Sequence, residues 1–440
     1  MRRTGAKRNR APAVVVMTTA LAAVVAVVPA QAAGAAEPAG RVPAQVTCDA
    51  ADSQIYRPSA EVPAEPGQVI ACRPVTLPHV PGNIPQRAWK VQYSSTDNEG
   101  RPAAVSGTVI VPTAQWTGSG SRPIVAFNPG TLGLGPQCAF SKQLAGAFQD
   151  EYEGENVAAL LKAGYAVAAT DGAGYLDGQT HPYVSGLDAG HALLDIARTA
   201  PVVPGSGLDA GTKVGLWGYS EGGAASLWAA QLAASYAPRL NVVGDASGGV
   251  PGDLKVVAKG LDGGPFAGFL MDAVVGLAAA HPAMPFTELL NEQGRKSVEK
   301  ATSNCLVGTI TSLAFQKVQD NTKNGLSLDQ IYALKDSDGR SWGQVLDAQK
   351  LGTQIGRKGS GATYEVGFPI LQYRGVLEEV IPTETQDATR RAYCSAGVTT
   401  RWALYPGEHL TTDQLAVRDV VSWLGARFDG RPEYGNCLLP

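Results

Sequence analysis

The chain has 440 residues, 44% of them hydrophobic and 17% charged, with 52 glycines and 29 prolines. That composition describes a loop-rich globular protein and excludes general disorder, at a length that holds about two or three domains or one long α/β enzyme. Lys and Arg number 36 against 39 Asp and Glu, a formal net charge of −3, which gives no reason to expect a nucleic-acid partner.

The N-terminus carries Arg2, Arg3, Lys7, Arg8 and Arg10 ahead of the apolar run Ala11 to Val28, followed by the A-x-A site Ala30-Gln31-Ala32 and a second such site, Ala33-Gly34-Ala35. Basic head, apolar stretch and small-residue site in that order predict a secretory signal peptide over residues 1–32 and a secreted mature protein. An uncleaved anchor is the competing reading, because the run is nearly long enough to span a bilayer; Pro29 and the A-x-A site favour cleavage. Cleavage removes five positive charges and no negative ones, moving the net charge from −3 to −8. Cys48, Cys72, Cys138, Cys305, Cys394 and Cys437 are an even set bound for an oxidising compartment, so three disulfides are expected. None belongs to a C-x-x-C or Cys/His cluster, and no metal is expected.

Residues 33–80, rich in Pro and Ala, predict an extended N-terminal arm packed against a body. Beyond it, β-prone runs recur at Trp89–Tyr93, Val105–Val111, Pro123–Phe127, Tyr165–Ala169, Lys213–Trp217, Asn241–Asp245, Phe368–Tyr373 and Arg401–Tyr405. Several are continuously apolar, as strands covered on both faces are. Helical patterns at Asn156–Ala163, Gly190–Ala197, Ala224–Ser235 and Gln414–Ala426 alternate with them. The fold class is therefore α/β, with a mostly parallel central sheet flanked by helices. Residues 248–345 break the rhythm with helical patterns and no convincing strand, and predict a helical cap or lid. The core then has two parts, 81–247 and 346–440. Within the cap, Gly264–Ala280 is apolar, but Asp272 and several glycines argue against a membrane span.

Gly218-Tyr219-Ser220-Glu221-Gly222-Gly223 directly follows one predicted strand and directly precedes a helix. A G-x-S-x-G string by itself is common in loops; placed at a strand-to-helix turn it reads as the nucleophile elbow of an α/β-hydrolase. Glycines permit the tight turn, Ser220 Oγ projects above the sheet, and the following helix turns its N-terminus toward the site. A serine hydroxyl needs a neighbouring base, and in this fold the chain order is Ser, acid, His. His79, His181 and His191 precede the serine. His281 lies at a helix end in the cap, before Pro282, and suits a surface or packing role. His409, on a loop after the last predicted strand, is the predicted base. The acid belongs after Phe368–Tyr373, where no aspartate occurs; Glu378 is the first carboxylate, with Glu379 behind it. The oxyanion hole requires two N–H donors: the backbone of Glu221, and a second from the loop Asn128-Pro129-Gly130-Thr131-Leu132-Gly133, from Thr131 or Gly130. The Glu221 side chain reads as a helix-start residue, and Asp171 and Asp188 as residues that cap or order loops.

These motifs resemble the secretory lipase family of α/β-hydrolases over nearly all of the mature chain. The resemblance runs through Ile55-Tyr56 with Pro66-Gly67, Gly130-Thr131 with Cys138-Ala139, Gly218-Tyr219-Ser220 and Gly263-Gly264-Pro265-Phe266-Ala267-Gly268-Phe269. It continues in Ala280-His281-Pro282, Glu378-Glu379-Val380-Ile381-Pro382 and Glu408-His409-Leu410-Thr411. It implies a lid over an acyl-binding tunnel, hydrolysis of acylglycerols or other long-chain esters, and no metal or organic cofactor. It also implies the disulfides Cys138–Cys305 and Cys394–Cys437, which leaves Cys48 with Cys72. The expected partners are a lipid or ester substrate and a transient contact with lipid interfaces, with no obligate protein partner. The chain departs from the family in having Glu378 where Asp is usual, and Cys138-Ala139-Phe140-Ser141 where the family reads C-A-P-S. The same catalytic residues would also serve a short-chain esterase, an acyltransferase or an amidase. Loss of the usual Asp leaves room for a catalytically silent lipid-binding protein.

Overall fold

A computed structural model of the protein describes residues 46–438. The leader assigned to residues 1–32 and the first part of the arm lie outside the described residues. In chain order the elements begin α1 (Asp52–Tyr56), β1 (Val69–Pro74), β2 (Gln86–Thr96), β3 (Pro102–Pro112), β4 (Ile124–Asn128), α2 (Phe140–Leu144), α3 (Gly154–Lys162), β5 (Ala166–Gly172), α4 (Gly186–Thr199), β6 (Lys213–Tyr219), α5 (Glu221–Tyr236) and β7 (Asn241–Gly248). Six helices follow without a strand: α6 (Leu254–Leu261), α7 (Ala267–Ala280), α8 (Glu292–Ser303), α9 (Leu306–Ser312), α10 (Leu328–Ala333) and α11 (Trp342–Ala348). The chain then completes β8 (Ile355–Arg357), β9 (Tyr364–Val366), β10 (Ile370–Gly375), α12 (Thr383–Ser395), β11 (Thr400–Tyr405) and α13 (His409–Phe428).

Nine strands form one sheet in the order β1-β2-β3-β5-β4-β6-β7-β10-β11. The first three pairings, β1 with β2, β2 with β3 and β3 with β5, are antiparallel, and every pairing from β5 to β11 is parallel. Parallel strands need both faces covered, and alternation along each strand shows how this is met. Ile124 and Ala126 of β4 pack with Leu193 and Ile196 of α4 and Leu227 of α5, whereas Val125 and Phe127 pack with Leu160 of α3 and Val420 and Leu424 of α13. All of β4 is buried, and its sequence is apolar from Ile124 to Phe127.

Several features differ from what the sequence pattern predicts, and three have a clear physical reason. The arm contributes β1, which pairs antiparallel with β2 and is fixed by Cys48–Cys72; its short, proline-bounded run carries too little alternation to stand out. The helix α12 has a polar exposed face and only Thr385, Gln386, Thr389, Arg390 and Tyr393 buried, so it lacks an apolar stripe. The helix α13 begins at His409 rather than at Gln414. Glu408 is its N-cap, accepting from Leu410 N at 2.9 Å and Thr411 N at 2.8 Å, which satisfies N–H groups that a helix start leaves without partners. His409 therefore stands on the first turn of a helix, not in a free loop. The other disulfides join Cys138 to Cys305 and Cys394 to Cys437. Among the described residues, no helix is long and apolar enough to cross a membrane.

Candidate active site

The elbow forms because β6 runs directly into α5 with Ser220 between them at φ 56° and ψ −120°. A non-glycine residue in that region is strained and persists only when its surroundings hold it. Here Ser220 N donates to Gly248 O at 2.9 Å and Ala224 N to Ser220 O at 3.0 Å. The flanking glycines are steric requirements: a Cβ on Gly218 would come within 2.1 Å of Gly222 O, and one on Gly222 within 2.1 Å of Asn128 O.

Ser220 Oγ lies 2.9 Å from His409 Nε2. His409 Nδ1 is 2.7 Å and 2.9 Å from the two carboxylate oxygens of Glu378. Glu378 Oε1 also accepts from Val380 N at 3.0 Å and Ile381 N at 2.9 Å. Burial acts to raise the Glu378 pKa; the hydrogen bond and charge of His409, with the N–H groups of Ile381 and Val380, outweigh it and hold the carboxyl below its ordinary value. Glu379 plays a different part, accepting from the backbone N of His409 at 2.9 Å. The hydroxyl of Tyr219 donates to His409 O at 2.6 Å, so the start of α13 is tied to β6 and to the loop after β10.

The loop after β4 brings Gly130 and Thr131 beside the elbow. Gly130 N is committed to Glu153 Oε2 at 2.6 Å, which leaves Thr131 as the freer of the two donors. Thr131 Oγ1 is 2.7 Å from Tyr183 OH. Glu153 is fully buried and burial pushes its carboxyl well above its ordinary pKa, with Asp413 of α13 adding to the shift.

Asp171 and Asp188 order their surroundings: Asp171 accepts from Ser141 N and Oγ and from Ser106 Oγ, and Asp188 from Ser185 Oγ and Asn98 N. His281 caps the end of α7 within 3.4 Å of Asn98 Nδ2, away from the elbow. Phe140, in place of the family proline, is buried with its ring 5.9 Å from that of Phe127. His181 is brought to the site, although its chain position ruled it out as the base: His181 Nε2 lies 2.7 Å from Glu221 Oε1. No sequence pattern signals that pair, whose members are forty residues apart, one on the loop after β5 and the other at the start of α5.

Above Ser220 a cavity of about 1180 Å³, part of it open to solvent, is lined by apolar residues. Most come from residues 251–346, among them Leu254, Val257 and Leu261 of α6, Phe269 and Leu277 of α7, Ile331 of α10 and Trp342 of α11; Val380 and Ile381 close it beside Glu378. Among the described residues, no group of three or more His, Cys, Asp or Glu side chains is arranged to hold a metal ion.

The sequence matches the family model described as "Secretory lipase" over residues 140–436. Lipase 10 of Candida albicans is 27% identical over 413 residues, covering 88% of this chain and 82% of its own length. A protein described as "Probable inactive lipase" from Mycobacterium tuberculosis is 29% identical over 392 residues, covering 87% and 82%. The X-ray structure of Candida antarctica lipase A in its closed state shares the fold with a TM-score of 0.73 at 24% identity, covering 87% of each chain.

Proposed function

Since the chain belongs to the secretory lipase family, we propose that it is an exported serine hydrolase that cleaves acylglycerols or other long-chain carboxylic esters through an acyl-enzyme on Ser220. The observation that carries this reading is the continuous hydrogen-bonded series from Ser220 Oγ through His409 to the Glu378 carboxylate. Glu378 can accept only from Nδ1–H, which fixes the tautomer that leaves Nε2 free to take the serine proton.

In the proposed reaction, His409 Nε2 removes the proton of Ser220 as Oγ attacks the ester carbonyl. The oxygen that becomes negative is received by the N–H groups of Glu221 and Thr131. Collapse of the tetrahedral intermediate releases the alcohol, which takes its proton from His409. Water then attacks the acyl-enzyme with His409 again as base, and Ser220 leaves with the proton. Glu378 stays ionised and stabilises the imidazolium in both halves.

The apolar lining above Ser220 supports a long acyl chain as the substrate feature, since each buried methylene contributes about 0.8 kcal/mol. Val376 and Leu377 beside Glu378, and Leu410 beside His409, are exposed and suit transient contact with a lipid surface. Export is supported by the leader pattern and the three disulfides. The relative named a probable inactive lipase keeps a catalytically silent reading in view, and one experiment separates the two. Hydrolysis of p-nitrophenyl palmitate by the purified protein, lost in Ser220→Ala, with fluorophosphonate labelling of the parent only, is the expected result. Equal rates in parent and Ser220→Ala would overturn the proposal.

A further inference from the structure

After β5 the chain turns through Gly172 and Gly174, at φ +83° and +84°. A Cβ on Gly174 would stand 2.5 Å from His181 Cα, so the loop folds back tightly enough to set His181-Pro182-Tyr183 against the loop that follows β4 and the start of α5. His181 Nδ1 is 2.6 Å from Ala173 O and Nε2 is 2.7 Å from Glu221 Oε1. Two residues on, Tyr183 OH is 2.7 Å from Thr131 Oγ1. All four side chains are buried, each less than a tenth exposed. One three-residue segment thus holds, by their side chains, both residues whose N–H groups are assigned above to the oxyanion.

We propose that His181 and Tyr183 are positioning residues of the oxyanion hole, His181 by holding and neutralising Glu221, and Tyr183 by fixing Thr131. This inference rests on the reading of Glu221 and Thr131 as oxyanion donors. Proton counting shows what His181 supplies. A carbonyl oxygen only accepts, so Nδ1 carries a proton to Ala173. Between Nε2 and the carboxylate a second proton must lie, whichever atom owns it, and the pair as a whole is neutral. Other titratable groups face it from several elements: Tyr175 stacked at 4.6 Å, Tyr183, Asp188 of α4, Asp272 of α7, and Tyr152 and Glu153 before α3. Of these groups and the pair itself, only His181 can become a cation. Burial disfavours its charge, and Glu221 together with the Ala173 carbonyl overrides burial and raises its pKa. Losing that proton would leave a buried carboxylate one residue from the nucleophile, where the reaction must develop a second negative charge.

Because Glu221 and Thr131 donate through the backbone, loosening their side chains misaims a donor without deleting it. The loss in kcat should therefore fall below the roughly 10²–10³-fold seen when a donor is removed outright. For His181→Gln a fall in kcat on the order of 10- to 100-fold is expected, with KM for p-nitrophenyl butyrate little changed. For Tyr183→Phe, which deletes one oxygen, about a tenfold fall in kcat is expected. Combining His181→Gln with Glu221→Gln removes the stranded charge and should restore kcat to within a few-fold of the parent. The parent should show a decline of kcat at alkaline pH as the pair loses its shared proton, and Glu221→Gln alone should abolish that decline. Rates are expressed per site titrated with fluorophosphonate, so a variant that merely folds poorly reads as fewer sites rather than as lower kcat. Parent-like kcat in both His181→Gln and Tyr183→Phe would overturn the proposal, as would a loss in His181→Gln that Glu221→Gln does not reverse. If Ser220→Ala keeps parent activity, the reading of the site itself has failed; if only it is inactive, the clamp alone has failed.

Discussion

Two histidine–glutamate pairs flank Ser220, and each brings an imidazole nitrogen to 2.7 Å from a carboxylate oxygen. They differ at the other nitrogen. In His409 it faces Ser220 Oγ, an atom that can give up a proton; in His181 it faces the Ala173 carbonyl, which can only accept. The pair built around His409 can therefore move a proton to and from the reacting centre, whereas the pair built around His181 is closed at both ends and can only hold charge and position. The third partner, rather than the pair itself, decides which histidine is suited to act as a base.

The largest test of that distinction is deletion of the imidazole that faces Ser220, the proposed base. His409→Ala should lower kcat for p-nitrophenyl esters by roughly 10⁴- to 10⁶-fold, as loss of a base in such a site does; a drop no larger than that of His181→Gln would erase the contrast. The proposed acid comes next. Glu378→Gln should cost on the order of 10³- to 10⁴-fold by favouring the wrong tautomer, while Glu379→Gln, which loses one contact to the His409 backbone, should stay within about tenfold. The reverse order would move the acid by one residue. Ser220, Tyr183, Val380 and Ile381 line the apolar cavity but the four members of the two pairs do not, so narrowing it should disturb neither pair. Val257→Trp, on α6, is expected to shift preference from palmitate toward acetate by on the order of tenfold, with the pH profile unchanged.

The smallest effect concerns stability, where the pairs respond to opposite ends of the pH scale. Glu378 has its pKa held below the ordinary value of 4.5. Its stabilisation is complete above the unfolded value and disappears as pH falls through the lower folded one. His181 has its pKa raised above 6.5. Its stabilisation is complete below the unfolded value and disappears as pH rises through the higher folded one. In urea titrations, the stability gap between parent and Glu378→Gln should narrow in acid, and that between parent and His181→Gln in alkali. Narrowing of both gaps at the same end would contradict the assignment of the two roles.

The central strands β4, β5 and β6 were legible because they are buried on both faces and carry short apolar runs, β4 most plainly. The arm strand β1 and the helix α12 were not legible, the first for want of alternation and the second because its exposed face is polar. At the site, the turn at Ser220 was readable from flanking glycines whose absence of a side chain is a local steric need. Glu378 was reached by counting forward from the strand before it. That the Gly130 N–H is already taken could not be read that way, because the side chain that accepts it, Glu153, crosses from another segment.

What the sequence determined by itself were the local matters: the strand-to-helix turn at Ser220, the chain order that singles out His409, and the exposed or covered character of each strand. Tertiary structure alone decided which loops meet. Strands β5 and β6 both pair with β4, giving the sheet the local order β5-β4-β6, although β4 comes first in the chain. That order sets the loop carrying Thr131, the loop carrying His181 and Tyr183, and the start of α5 with Glu221 side by side at one end of the sheet. Their hydrogen bonds follow from lateral strand pairing, an interaction between residues distant in sequence that no local pattern of residue types encodes.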